Sequence, residues 1–401
     1  MNHPDNTIPP ARTEDALLLH CARRRTSEGE DAKLHNLTGR VKDWEYLIRT
    51  AQRHGLMPFL YRQFKAVDSQ FVPDEVLSSL RDLFFNNAAR NLLLTEELHK
   101  ILALFEGAGI ESLPYKGPAL ALQLYGDTGF RQFDDLDLII RRHDIAAAYA
   151  LLLSAGYQTP YAVEQRAREA AYLESQRQQL FVSRDGKVCL EIHWGFAPKC
   201  LVPALDAEHF WGRLAPLSLE RTQTRALSPE DLLIVLSVHG GKHLWERLSW
   251  LCDVAELIVS HPSIDWDGVM REASTLGVRR MLLLGLLLCK DHLQTHLPEA
   301  ILREVEEDRI IPSLAHQVKL NLLTDGFPAT NPTSSILFNY RIRERRLDGA
   351  RYCYHITTRP TPAEWAALDL PDALSFLYYL VRPFRMIRRH APTPFKRHAG
   401  F

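Results

Sequence analysis

From Val41 to Leu60 the apolar residues Trp44, Leu47, Ile48 and Ala51, then, beyond His54-Gly55, Leu56, Phe59 and Leu60, recur at intervals of three and four. That spacing predicts an amphipathic helix followed by a second one. Pro73, Asp74 and Glu75 put a proline and two acids in a first helical turn. The helix they open is expected to reach Glu106, with Leu77, Leu80, Phe84, Ala88, Leu92, Thr95, Leu98 and Leu102 on one stripe. Residues 1–106 thus read as an N-terminal helical module, loose at its start.

At Gly107-Ala108-Gly109 the pattern changes to short β-like pieces. Ile110 to Tyr115 and Leu136 to Ile140 read as strands, and Pro118 to Tyr125 as a short helix between them. His143 to Ala155 is an Ala/Leu-rich helix stopped by Gly156. Gln178 to Ser183 and Lys187 to Trp194 flank Arg184-Asp185-Gly186, where Asp-Gly signals a hairpin. Residues 107–226 therefore read as a compact α/β core of strand, helix, strand, helix and hairpin.

Helical periodicity returns at Ser228-Pro229-Glu230-Asp231, with Ser228 as N-cap and proline in the N1 place. This helix carries Leu232, Leu233, Val235, Leu236, His239, Lys242 and His243, and another runs from Trp250 to Ser260. Asp265 to Leu288 and Pro298 to Leu323 supply further helices. A Gly/Pro/Asn/Ser-rich break at Asp325 to Ser335 separates a helical domain at 227–324 from a C-terminal helical, basic tail at 325–401. The expected fold class is α+β, a small mixed sheet flanked by helical modules, and a chain of 401 residues has the length for two or three domains at about 150 each.

Composition narrows the class without naming a partner. Hydrophobic and charged fractions of 46% and 24% are those of an ordinary globular protein, and 48 basic residues balance 49 acidic ones. The six cysteines are scattered without a C-x-x-C pair, so neither a disulfide framework nor a cysteine zinc site is indicated. The N-terminal stretch lacks the unbroken apolar core of a secretory signal, and the run Met281 to Cys289 is too short to span a bilayer. A cytoplasmic location is expected.

The candidate chemistry centres on Asp134, Asp135 and Asp137. On a strand, residues i and i+2 share a face, so Asp135 and Asp137 point the same way. Two like charges at about 4 Å repel by roughly 1 kcal/mol in water and by more near a protein surface. A cation between them relieves this, although a solvated strand start or a helix cap would also account for the pair. Glu191, in the strand VCLEIHW with His193 on its face, offers a third carboxylate. Three carboxylates from adjacent strand ends suit Mg²⁺, and two such ions about 3.5–4 Å apart can clamp an in-line phosphoryl displacement. A nucleoside triphosphate is the expected occupant. Lys116-Gly117, at a strand-to-helix junction, and Arg131, just before the acids, are candidate phosphate contacts.

These residues together carry a family likeness. Lys116-Gly117, Tyr125 with Arg131, Asp135-Leu136-Asp137, Glu191-Ile192-His193-Trp194 and the later SVHGGKHLWERLSWLCDVAELI resemble the poorly characterised bacterial nucleotidyltransferases of the DNA polymerase beta-like superfamily. The likeness runs from about Val41 to Ile258. It implies a minimal mixed sheet, two Mg²⁺ ions on Asp135 and Asp137, and Glu191 assisting an acceptor hydroxyl that attacks the α-phosphate and expels pyrophosphate. Typical members have Gly-Ser or Gly-Gly where this chain has Gly117-Pro118, which leaves Lys116 to compensate for a missing serine.

The remaining candidates have plainer alternatives. His193 either contacts the acceptor or Glu191, or is structural beside Trp194. Arg131 either meets phosphate or pairs with Asp134 or Asp135, and Asp134 is expected in a supporting role. His239 and His243, at i and i+4, have zinc spacing but no third ligand. With Lys242 they are expected to form a cationic helix face toward triphosphate or acceptor, the alternative being an exposed face. Trp245, Leu248 and Trp250 are expected in the core. Arg382, Arg385, Arg388, Arg389, Lys396 and Arg397 make a basic tail, read as a solvated face, a segment docked on the body through Phe376, Tyr378, Tyr379 and Phe384, or an anionic-surface contact. The reading is a Mg²⁺-dependent nucleotidyltransferase with an unidentified small-molecule, protein or RNA acceptor. The alternatives are a catalytically idle nucleotide- or partner-binding regulator and an RNA-modifying or toxin-like transferase.

Overall fold

The computed structural model describes residues 12–22, 31–66, 71–159, 177–198, 200–202, 204–322, 332–359 and 372–390. Helices α1 (Thr13–Cys21), α2 (Asp31–Thr38), α3 (Trp44–His54) and α4 (Met57–Ala66) open the chain. Asp43 caps α3 by accepting from the Tyr46 N–H, and Gly55 ends it in the left-handed conformation. The two amphipathic helices expected around His54-Gly55 are therefore present.

Helix α5 (Asp74–Gly107) is 34 residues long and begins directly after Pro73, as the first-turn proline and acids predict. Its buried positions in the second half are Asn91, Leu94, Thr95, Leu98, Ile101, Leu102 and Phe105. Leu92, expected on that stripe, is instead 57% exposed. Over nine turns a 3.6-residue period drifts against any fixed three-and-four reading, and the inward face passes to Asn91 and Leu94.

The sheet is assembled from β1 (Ser112–Pro114), β2 (Asp135–Ile140), β3 (Gln178–Val182) and β4 (Cys189–His193), in the order β1-β2-β4-β3. β2 and β4 run parallel, while β1 and β3 pair antiparallel with their neighbours. Helix α6 (Gly117–Tyr125) follows β1 and α7 (Ile145–Ser154) follows β2, each within a few residues of its expected bounds. The Asp185-Gly186 turn joins β3 to β4 with Gly186 at φ +72°. A second hairpin, β5 (Ala215–Leu219) with β6 (Thr222–Ala226), was not indicated by the apolar pattern. Its alternate residues are exposed, and TQTRA has no apolar alternation to read.

Period two decides what each sheet face does. Leu136, Leu138, Ile140, Leu190 and Ile192 point into an apolar core closed by the second half of α5 and by Ala148 and Leu152 of α7. On the opposite face Ile139 joins a larger core, which leaves Asp135, Asp137, Glu191 and His193 at the end where that face opens.

Beyond β6 come α8 (Pro229–Lys242), α9 (Leu248–Ser260), α10 (Trp266–Leu276), α11 (Arg279–Leu293), α12 (Glu299–Glu307) and α13 (Ile311–Leu322). Ser228 Oγ accepts from the Asp231 N–H at 3.2 Å, the expected cap of α8. The larger core runs from Leu17 through α8, α9 and α11 to Tyr352, so the front helices and the later ones share one interior. Helices α14 (Pro332–Arg341), α15 (Arg346–Thr358) and α16 (Tyr378–His390) complete the described chain. Most of the break expected at 325–335 lies outside the described residues, but Pro332 onward is helix rather than loop. In the basic tail, Arg382 Nε donates to the Ile356 carbonyl at 3.4 Å, and Lys396 and Arg397 lie outside the described residues. Among the described residues no helix is long and apolar enough to cross a membrane.

Candidate active site

Parallel pairing sets Asp137 opposite Glu191 and Ile139 opposite His193, so both acids and the imidazole crowd one end of one sheet face. They line a cleft of about 340 Å³ with Asp135, Lys116 and Arg131 on one side and His239, Lys242, His243, Arg247 and Trp250 from α8 and α9 and their connection on the other. Asp137 is 4% exposed. Its Oδ1 accepts from Lys116 Nζ at 3.3 Å and from His193 Nε2 at 2.8 Å. The same Nε2 lies 3.3 Å from Glu191 Oε2, so a nitrogen facing two carboxylates is the one that carries the hydrogen. Gln178 Nε2 donates to Glu191 Oε2 at 2.7 Å.

The three ligand atoms drawn within 4.8 Å of one another belong to Asp137, Glu191 and His193. The trio expected from the sequence had Asp135 in place of His193. Asp135 lines the same cleft but sits one step out on the strand, opposite Cys189, whereas the His193 ring reaches back to Asp137. His193 is thus engaged with the acids and is not merely packed beside Trp194.

The electrostatics divide the two aspartates. Burial and the neighbouring Asp137 charge push the Asp135 carboxyl up to about 6. Burial also acts to raise Asp137, but Lys116 and His193 outweigh it and hold that carboxyl well below the usual range. Burial acts to lower His193, and its hydrogen bonds to Asp137 and Glu191 raise it instead.

The opposite wall differs from the expected cationic face. Burial first, then nearby Lys116 and neighbouring cations, lower His239 well below the ordinary imidazole range. Burial and Lys242 bring His243 down to about 3. Both rings are therefore neutral at pH 7, and the positive charge on this wall comes from Lys242 and Arg247. Lys242 is itself lowered by burial and by Lys116. The imidazoles pack on each other at 4.8 Å and on Trp250 at 4.9 and 5.5 Å. Trp245 and Leu248 are in the core as expected, but Trp250 is half-buried and lines the cleft.

Two expected phosphate contacts are placed differently from one another. Gly117, at φ +54°, packs behind the cleft, where an added Cβ would lie 3.3 Å from the Asp135 carbonyl oxygen. Arg131 lines the cleft and pairs with neither Asp134 nor Asp135. Its Nε donates to both carboxylate oxygens of Asp253 at 3.2 and 3.0 Å, and Tyr125 donates to the same Oδ1 at 3.0 Å. Asp134 points outward, 82% exposed, 3.5 Å from Arg90.

The sequence reading missed Asp253, Asn87 and Asn91. Asn91 Nδ2 donates to the carbonyls of Thr128 and Arg131 at 2.7 and 2.8 Å, and Asn87 reaches the carbonyls of Gly129 and Arg131. Together they clamp the loop that leads into β2. The available signal was polarity out of place: an aspartate inside LSWLCDVAELI and an asparagine one position from a presumed apolar stripe.

A mixed sheet that presents acids from adjoining strand ends to a cleft walled by lysine and arginine has the features of a phosphoryl-group transferase. The chain belongs to the uncharacterised nucleotidyltransferase family, whose model matches residues 40–294. No curated protein and no solved structure matches it.

Proposed function

We propose that the protein transfers a nucleoside monophosphate from a triphosphate to an acceptor hydroxyl, in a Mg²⁺-dependent reaction at this cleft. The observation that carries the reading is the side-by-side placement of Asp137 and Glu191 on parallel strands, with Asp135 one step outward and lysines on two sides. The donor set suits the ion: carboxylate oxygens are hard ligands, and Mg²⁺ is typically bound by one or two of them together with substrate phosphates. Asp135, Asp137 and Glu191 would hold it. When bound, the ion supplies charge neutralisation for the attacking and leaving oxygens.

The chain's own residues account for the rest. Lys116, Arg131 and Lys242 give the triphosphate positive contacts in a site mostly shielded from water, where such contacts are stronger than in solution. His193 fixes the Asp137 carboxylate and, with Gln178, the Glu191 carboxylate. Glu191, partly exposed in the cleft, orients the acceptor hydroxyl and takes its proton as the oxygen bonds to the α-phosphorus and the bond to the leaving pyrophosphate breaks. The near-balance of acidic and basic residues gives no support to an RNA acceptor over a small molecule or protein.

One observation favours a second reading. Lys116 and His193 already neutralise Asp137, as they would in a catalytically idle protein that binds nucleotide for regulation. Incubating the purified protein with each labelled triphosphate, Mg²⁺ and fractionated extract separates the two. Pyrophosphate release with label transfer supports the enzyme. Nucleotide binding with neither, across all four triphosphates, would sink it and leave the regulator.

A further inference from the structure

Arg131 is held from two directions. Its backbone carbonyl is bound by Asn87 and Asn91 of α5, and its side chain by Asp253 of α9, which is 1% exposed. The Asp253 contacts both use Nε, and among the described residues no hydrogen bond occupies either Nη. Arg131 nevertheless lines the cleft that contains Asp135 and Asp137. An arginine so placed has two sets of carboxylates competing for it. Asp135 and Asp137 attract it electrostatically as Asp253 does.

We infer that Asp253 is a positioning residue for the triphosphate site: it tethers Arg131 through Nε, keeping both Nη groups turned toward the phosphates and away from Asp135 and Asp137. Tyr125 also donates to Asp253 Oδ1, which helps to hold the carboxylate in place. The planar guanidinium fork matches phosphate oxygens in pairs, which a mobile side chain would do at greater entropic cost. The inference rests on the cleft being a triphosphate site.

A purely structural role for the pair makes a different prediction. A buried ion pair can be exchanged for apolar residues of similar volume with little loss of stability. Arg131→Met/Asp253→Leu should then retain both its fold and its ligand if the pair only docks α9 against the loop. The test is calorimetric titration with inorganic tripolyphosphate and Mg²⁺, beside thermal unfolding of each variant. The double variant is expected to melt near wild type and to bind about tenfold more weakly, the loss of one charge-assisted contact. Asp253→Asn, which leaves Arg131 in place without its counter-charge, is expected to melt below wild type and to bind about fivefold more weakly, so the double variant, which removes both charges, is the one that separates affinity from stability. Wild-type affinity in both variants overturns the inference while leaving the transferase reading intact. Failure of the wild-type protein to bind tripolyphosphate or any nucleoside triphosphate overturns both.

Discussion

Asp137 of β2 and Glu191 of β4 face each other directly in a parallel ladder, and one imidazole, His193, bridges them at 2.8 and 3.3 Å. Adjacent strands lie about 4.8 Å apart, so backbone pairing alone brings the two carboxylates within reach of a shared cation. The unequal environments then assign roles. Asp137 is buried and charge-compensated, whereas Glu191 is partly open to the cleft.

That difference predicts separable effects. Glu191→Ala is expected to lower turnover by about a hundredfold or more, the scale of losing a group that orients or deprotonates a nucleophile. Triphosphate affinity measured without divalent cation, where the loss of a carboxylate ligand does not enter, should stay within a few-fold of wild type. Steady-state kinetics and equilibrium binding on one preparation check this, and an equal loss in both would move Glu191 from the reaction to substrate binding.

Asn91 is fully buried in α5 and satisfies two loop carbonyls. Asn91→Ala leaves the Thr128 carbonyl without its partner and the Arg131 carbonyl to Asn87 alone, at a cost of about 1–3 kcal/mol. The expected signature is a lowered urea midpoint together with reduced activity, because the same loop leads into Asp135. Unchanged stability would show that the loop is held by other contacts.

Gly117→Ala tests the turn behind the acids. At φ +54° a side chain costs about 1–2 kcal/mol, and its Cβ would press on the Asp135 carbonyl at 3.3 Å. Urea unfolding should show that loss, and a variant as stable as wild type would contradict the left-handed turn.

How far these features were legible in the sequence depends on their range. Proline and acids at 73–75 mark the start of α5, and Ser228-Pro229 that of α8, because capping is local. The i, i+2 relation of Asp135 with Asp137 and of Glu191 with His193 follows from strand geometry alone. Which atoms converge does not: His193 replaces Asp135 in the tight group because its ring reaches across the strand pair. Arg131 finds Asp253, 122 positions away, and no periodicity encodes that. His239 and His243 looked cationic by residue type, and burial among lysines makes them neutral. The β5–β6 hairpin was invisible because its exposed positions are polar and its buried ones few.

His54 links α3 to the later helices and gives the fold a pH dependence. It is 1% exposed, its Nδ1 accepts from the Leu248 N–H, and Nε2 lies 3.1 Å from the Leu322 carbonyl. Burial and Arg53 bring it from 6.5 down to about 3. A folded-state value below the unfolded one means that this stability is fully present above pH 6.5 and is lost as pH falls toward 3. The loss is about 1.4 kcal/mol per pH unit within that window. Urea unfolding at pH 7, 6 and 5 should show a steeper decline for wild type than for His54→Gln, and parallel declines would exclude His54 as the source.

The cation site itself is tested most directly by Mn²⁺, whose paramagnetism reports its own binding. Electron paramagnetic resonance titration in the presence of a non-hydrolysable triphosphate compares wild type with Asp137→Asn, a change that keeps the side chain's size and removes its charge. The expected result is saturable Mn²⁺ binding by wild type that weakens by about a hundredfold in the variant, the cost of removing one carboxylate ligand and leaving Lys116 and His193 uncompensated. Equal Mn²⁺ binding by the two proteins, or none by wild type, would contradict a metal centre on Asp137 and Glu191.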